Sequence, residues 1–207
     1  MRAAMPRPEP AYTVGLDLGQ SQDYTALAVL EHVPGATRDD VAFHARHLLR
    51  YALGTPYPAI VVDVAALLAK PPLHRAALAV DGTGVGAAVV DLFRQRVPRS
   101  RLSAITITGG NAVTRDGRNY LVPKRDLVGV VQVLLQSGRL KVAPALPEAA
   151  ILTAELENFQ VRITEAAHDT YGAWREGTHD DLVLAVALAA WAAQNVARNV
   201  ARSFGFG

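Results

Sequence analysis

Residues 12–19, YTVGLDLG, alternate: Val14, Leu16 and Leu18 point one way, Gly15 and Asp17 the other. That is the period of a half-buried strand with a carboxylate on its second face. TALAVLEHV follows after a short polar turn and predicts the return strand of a hairpin. In VAFHARHLLRYALG the alternation predicts a third antiparallel strand, with Phe43, His47, Leu49 and Tyr51 on one face and His44, Arg46 and Arg50 on the other. YPAIVVDVAALLAK changes to helical spacing, with Pro58 early, where proline is tolerated. AALAVDGTGVGAAVVDLFRQRVP reads as strand, glycine loop and helix, and LSAITITGG as a further strand parallel to the first. GNAVTRDGRNYLV reads as a polar loop with an Asp-Gly turn. PKRDLVGVVQVLLQSG is a helix between Pro123 and Gly138. RLKVA and QVRIT are short strands flanking a helix in PEAAILTAELENF, and DDLVLAVALAAWAA opens a final apolar helix.

Three antiparallel strands leading into parallel strands, with helices between them, predict an α/β mixed sheet covered on both faces. This is the order of the ribonuclease H-like fold. A leader is expected over residues 1–11, one domain over 12–200 and a tail over 201–207.

Composition narrows the chemistry. The 207 residues are 50% hydrophobic and 19% charged, which suits one well-filled domain. The absence of cysteine excludes a disulfide scaffold, a thiolate zinc site and a cysteine nucleophile. The apolar run 182–193 is shorter than the roughly 20 residues a bilayer requires, so a core helix and a cytoplasmic protein are expected. A net charge of +2 does not by itself argue for nucleic acid.

The carboxylates carry the strongest signal. Asp17 sits within a strand, where aspartate is disfavoured; a solvent-facing residue is the plainer alternative. Asp81 ends an apolar strand at the point where open α/β sheets bind ligands. Asp180 and Asp181 precede the last helix; capping accounts for one of them, not both. Asp23, six residues after Asp17, is by itself an ordinary turn aspartate. Acids gathered from distant segments repel one another unless cations neutralise them, and hard oxygen ligands favour Mg2+ or Mn2+. Two such ions about 4 Å apart can drive an in-line phosphoryl displacement.

Four stretches resemble the nuclease domain of phage terminase large subunits. GLDLGQSQDYTALAVLE carries the pattern D-x-G-x-x-x-D-x-T of its first acidic strand, and AVDGTGVGAAVVDLF is similar to its second. YLVPKRDLVGVVQVLLQSGRLKV looks like its lysine-opened helix, and EGTHDDLVLAVALAAW like its terminal acidic motif. Together they cover about residues 12–193 in the right order. The resemblance implies a ribonuclease H-like endonuclease that cuts double-stranded DNA during genome packaging in the host cytoplasm, with two Mg2+ or Mn2+ ions. Asp17, Asp81 and the Asp180–Asp181 pair, Asp181 above all, would hold the ions, with Asp23 as an auxiliary acid. Lys124 and His179 would stand beside the site; an exposed loop histidine is an equal reading of His179. An ATPase domain, a small terminase subunit and a portal are the implied partners. The large subunits carry an ATPase motor ahead of this domain and this chain has none, so an excised domain or a free-standing relative is expected. Holliday-junction resolvases share the fold and the acidic logic.

Rival readings are weaker. GTGVGA, Gly82–Ala87, matches the dinucleotide fingerprint, but lies mid-chain, follows Asp81 and has no acid at the end of the next strand. The phosphate loops of actin-like kinases and chaperone ATPases also look like GLDLGQSQ, but those proteins duplicate their fold. A non-catalytic domain needs no clustered acids. Of the basic residues, Arg94, Arg96, Arg99 and Arg101 read as a solvated helix end. Arg115, Arg118 and Arg125 lie about the polar loop near Lys124 and are favoured for DNA phosphates, giving salt-sensitive binding with little sequence preference.

Overall fold

The computed structural model describes residues 11–19, 23–35, 37, 40–84, 86–98, 101–158 and 180–203. His179, the predicted strand QVRIT, the leader to residue 10 and the end of the tail lie outside them. Among the described residues the strands are β1 (Ala11–Asp17), β2 (Ala26–Val33), β3 (Ala42–Arg50), β4 (Ala77–Asp81), β5 (Leu102–Thr108), β6 (Thr114–Asp116), β7 (Asn119–Pro123) and β8 (Leu140–Val142). The helices are α1 (Tyr57–Ala69), α2 (Gly86–Arg96), α3 (Lys124–Gln136), α4 (Ala149–Asn158) and α5 (Asp181–Ser203). The strands form one sheet in the order β6-β7-β5-β4-β1-β2-β3-β8. β1, β2 and β3 run antiparallel, while β4 is parallel to β1 and β5 to β4. The expected mixed sheet is therefore present.

Alternation along the central strands feeds two cores. Val14, Leu16, Leu27, Val29, Leu78 and Val80 pack under α1 and α2. Ala26, Ala28, Leu30, Ala79 and Ile105 pack under α3, α4 and α5. Asp17 and Asp81 follow the second alternation and face α5. Asp17 is the last residue of β1 rather than a mid-strand one, and at 7% exposure it does not face solvent.

α5 lies unusually close to β1. A Cβ on Gly15 would strike the Ala185 carbonyl and lie 2.7 Å from the Ala189 nitrogen. Asp181, Ala185 and Ala189 are spaced four apart, so they share one helix face. That face meets the Gly15 and Asp17 side of β1, which explains the alanine excess of the helix.

Two expectations need correction. The stretch read as a polar loop contains the β6–β7 hairpin, turned at Gly117 with φ 59° and paired Thr114↔Leu121 to Asp116↔Asn119. β6 is wholly exposed and so carries no apolar signal; β7 buries Tyr120 and Val122. In β3, Val29 pairs with His47 but Leu30 with Ala45, so Arg46 is an extra residue in the ladder. A bulge of this kind reverses the side-chain phase. Phe43, Ala45 and Leu48 all pack toward α5, whereas Leu49 and Tyr51 go to the other face. Arg50 is thereby turned toward α5.

Arg101 is a structural clamp rather than a solvated charge. Its guanidinium donates to the carbonyls of Leu73, His74 and Ala76 at 2.7–2.9 Å. His32 contacts Thr13 Oγ1 through Nε2 at 2.8 Å and meets Phe43 edge-on. Burial lowers its pKa from 6.5 to about 4. The folded state therefore resists a proton that the unfolded chain accepts below 6.5. Its contribution to stability is complete above 6.5 and falls as pH drops toward 4, by about 3 kcal/mol in total. Urea unfolding at pH 7 and pH 4.5 should show His32→Gln losing less stability than wild type over that interval.

Candidate metal centre

Four aspartates from three distant segments come together at one end of the central strands. β1 delivers Asp17, the neighbouring parallel strand β4 delivers Asp81, and the start of α5 delivers Asp180 and Asp181. Asp17, Asp81 and Asp181 are 7%, 6% and 4% exposed. Burial pushes Asp17 well above the ordinary carboxylate range, and the charges of Asp81, Asp181 and Asp180 push it further. Asp17 also hydrogen-bonds Asp81, and the bond raises Asp17 while lowering Asp81. Asp81 is itself raised by burial, against the hydrogen bonds from Thr83. The Thr83 N–H donates to Asp81 Oδ1 at 2.7 Å, so the amide that the dinucleotide fingerprint would offer a pyrophosphate is committed to this carboxylate.

Cations flank the cluster. Lys124, the first residue of α3, lies 3.6 Å from Asp180 Oδ2, an ion pair rather than a hydrogen bond. Burial lowers the Lys124 pKa, and the nearby Asp180, Asp17 and Asp81 oppose that shift. On the other side, Arg50 Nη2 lies 2.7 Å from Asp181 Oδ2 and 3.1 Å from Glu155 Oε1. Glu155 is raised to about 7, chiefly by burial. Arg50 and Glu155 were not anticipated from the sequence. Glu155 stands three residues after the buried Leu152, an acid on the apolar face of α4, and that spacing is the signal that could have found it.

The remaining predicted residues are spread more widely. Asp23 is exposed on the loop between β1 and β2. Arg125 follows Lys124 and donates to the Asn111 carbonyl at 2.7 Å. Arg115 is exposed on β6, donating to the Gly117 carbonyl, with its guanidinium 5.3 Å from the Tyr120 ring. Arg118 is not with the acids: it lines a groove of about 360 Å³ with Asp91 and Arg94 of α2.

Whether the donors suit a divalent ion turns on two features. The set is all carboxylate, the choice for Mg2+ or Mn2+. Asp180 Oδ2 is buried and accepts no hydrogen bond, and the Lys124 ammonium 3.6 Å away shows that this oxygen already faces a cation. Among the described residues, no three acidic or imidazole groups already enclose a point where an ion would sit. Lys124 sits against Asp180 Oδ2, so coordination through that oxygen requires the lysine side chain to turn, whereas Arg50 meets Asp181 through Oδ2. With that adjustment the residues fit the group.

A mixed sheet with β1–β3 antiparallel and β4 and β5 parallel, its acids at the ends of β1 and β4, defines a ribonuclease H-like domain. This arrangement is not the parallel βαβ sheet to which the dinucleotide fingerprint belongs. The chain belongs to the terminase RNaseH-like domain family, whose sequence profile matches residues 14–192. It is 26% identical over 183 residues to the terminase large subunit of Thermus phage G20c, a match covering 88% of this chain and 32% of that protein. The large subunit of Thermus virus P23-45 matches equally, so the chain spans about a third of the length of these relatives. The magnesium-bound large terminase nuclease of phage G20c superposes with a TM-score of 0.61 at 24% identity, over 89% of this chain and 82% of that one. The Mn-soaked, inhibitor-bound terminase nuclease domain of human cytomegalovirus gives a TM-score of 0.54 at 19% identity, over 90% and 84%.

Proposed function

We propose that the chain is a metal-dependent endonuclease that hydrolyses phosphodiester bonds of double-stranded DNA, as the nuclease domain of a viral packaging terminase. The observation that carries this reading is the convergence of Asp17, Asp81, Asp180 and Asp181, the first, second and last of them buried, with Asp17 raised by burial and by its acidic neighbours. Family membership adds weight to it.

Asp17, Asp81 and Asp181 are proposed to hold two Mg2+ or Mn2+ ions. Asp181 lies on the sheet-facing stripe of α5, whereas Asp180 pairs with Lys124 and is assigned the more outlying share. Asp23 and His179 are kept as auxiliary groups. Ions bound there would supply a water of lowered pKa and would offset charge on the departing 3′ oxygen. The protein's own part is to exclude bulk water from three of the carboxylates and to set Lys124 beside the acids as a cation. Arg125 and Arg115 are assigned to DNA phosphates, which position the duplex without reading it. Arg118 is a weaker assignment because it faces α2. The ATPase domain, small subunit and portal of a packaging machine are the proposed partners, acting in the host cytoplasm. No described helix is long and apolar enough to cross a membrane.

The test is plasmid cleavage with Mn2+, with Mg2+ and with chelator. The wild type is expected to cut with either ion and not with chelator, with steep inhibition by salt. Asp81→Ala is expected to lose activity about a thousandfold, roughly 4 kcal/mol of transition-state stabilisation. Equal cleavage by the two proteins would overturn the reading.

A further inference from the structure

The first turn of α5 is capped from outside its own segment. Glu155 Oε2 accepts the Val183 N–H at 3.0 Å, reaching from α4 across 28 residues of sequence. Val183 is the third residue of the helix, the position whose amide an N-cap side chain normally takes. Asp180 supplies the N-cap carbonyl, which accepts the Leu184 N–H at 2.9 Å, but its Oδ2 takes no hydrogen bond. Glu155 therefore performs the capping that the aspartate pair would otherwise have to perform.

The same glutamate anchors Arg50. One guanidinium nitrogen bridges Glu155 and Asp181, and the guanidinium lies 4.5 Å from the Tyr24 ring. Arg50 Nε is buried without a hydrogen-bond partner. Burying a charge with an orphaned donor is costly, and a buried ion network of this kind is poor evidence for a stability device. The Arg46 bulge is also required, because without it Arg50 would face away from α5.

We propose that Arg50 and Glu155 are positioning residues for Asp181: Glu155 relieves the aspartate pair of capping, and Arg50 fixes the orientation of the Asp181 carboxylate before an ion arrives. The inference rests on the metal-dependent nuclease reading above. It predicts an effect opposite in sign to simple electrostatics. Deleting a cation beside metal-binding carboxylates should tighten cation binding by Coulomb's law alone, whereas loss of positioning weakens it.

The experiment is calorimetric titration of the full chain with Mn2+, for wild type, Arg50→Met, Arg50→Lys, Glu155→Gln and Glu155→Met, each shown to be folded by circular dichroism. Arg50→Met is expected to bind Mn2+ about tenfold more weakly. Arg50→Lys, which keeps the charge but not the planar fork, is expected to change in the same direction, and it carries the test if Arg50→Met does not fold. Glu155→Gln retains an acceptor for the Val183 N–H and is expected to bind more tightly than Glu155→Met. At saturating Mn2+, the Arg50 variants should lower kcat for plasmid cleavage while leaving KM for DNA unchanged. Unchanged or tighter Mn2+ binding by folded Arg50 variants, with a wild type that binds, overturns the inference alone. A wild type that binds no Mn2+ overturns the nuclease reading together with it.

Discussion

Asp17→Asn is expected to cripple cleavage and, with chelator present at pH 8, to make the protein more stable than wild type. Both effects have one cause. Asp17 is pushed upward by burial first, then by Asp81, Asp181 and Asp180. Its folded pKa lies above its unfolded one, so its contribution to stability is complete below the unfolded value. That contribution is lost as pH rises through the folded value, because folding then requires adjacent acids to ionise together. Asparagine keeps the size and removes the charge. The gain at pH 8 should be about 1–2 kcal/mol, or roughly 3–6 °C in Tm for a domain of this size, the trade-off expected where a site is built for function. It should vanish below about pH 4, where the wild-type carboxylate is protonated in both states. Adding Mn2+ at pH 8 should reverse the ranking, since only the wild type gains binding energy, about 2.7 kcal/mol at a hundred times Kd. Activity should fall about a thousandfold. Melting curves at pH 8 and pH 4, with and without Mn2+, check the result; an Asp17→Asn protein less stable than wild type in chelator at pH 8 would refute the argument.

The four aspartates stood out in the sequence because of their places in their own segments. Asp81 closes an apolar strand, Asp180 and Asp181 open an apolar helix, and Asp17 puts a carboxylate on the second face of an alternating strand. What lay hidden depended on register or on contacts between segments. The position of Arg50 follows from one extra residue, Arg46, set by pairing with β2; strict alternation in β3 predicts the wrong face beyond that point. Glu155 looks like an ordinary helix acid until α4 is laid beside the start of α5. The β6–β7 hairpin failed for a different reason: an exposed strand has no hydrophobic period, and its Asp-Gly turn was read as part of a loop. Of the first basic cluster, Arg101 holds carbonyls and Arg94 pairs with Asp91 and Asn119, Arg96 is exposed as expected, and Arg99 lies outside the described residues.

Gly15→Ala is expected to destabilise the protein by about 3 kcal/mol and to reduce cleavage about a hundredfold or more. The usual expectation for glycine to alanine in a strand interior is the reverse, a gain of roughly 0.5–1 kcal/mol from lower chain entropy. Here the added methyl meets backbone, the Ala185 carbonyl and the Ala189 nitrogen, and no rotamer change can relieve it. α5 must withdraw from β1. Overpacking of this kind costs about 1–3 kcal/mol, and a backbone obstruction belongs at the upper end. The functional loss follows from position. Asp17 lies two residues beyond Gly15 on the same face of β1, and Asp181 lies one turn before Ala185 on the same face of α5. The clash therefore sits beneath the pair of acids it separates, and misplacing reacting groups by about 1 Å costs about a hundredfold. Gly109 is the control, since a Cβ there meets nothing within 4 Å, and Gly109→Ala should stay within about 0.5 kcal/mol of wild type. Urea unfolding and plasmid cleavage of both variants decide the matter. A Gly15→Ala protein as stable and as active as Gly109→Ala would mean that the contact between α5 and β1 does not set the spacing of the acidic cluster.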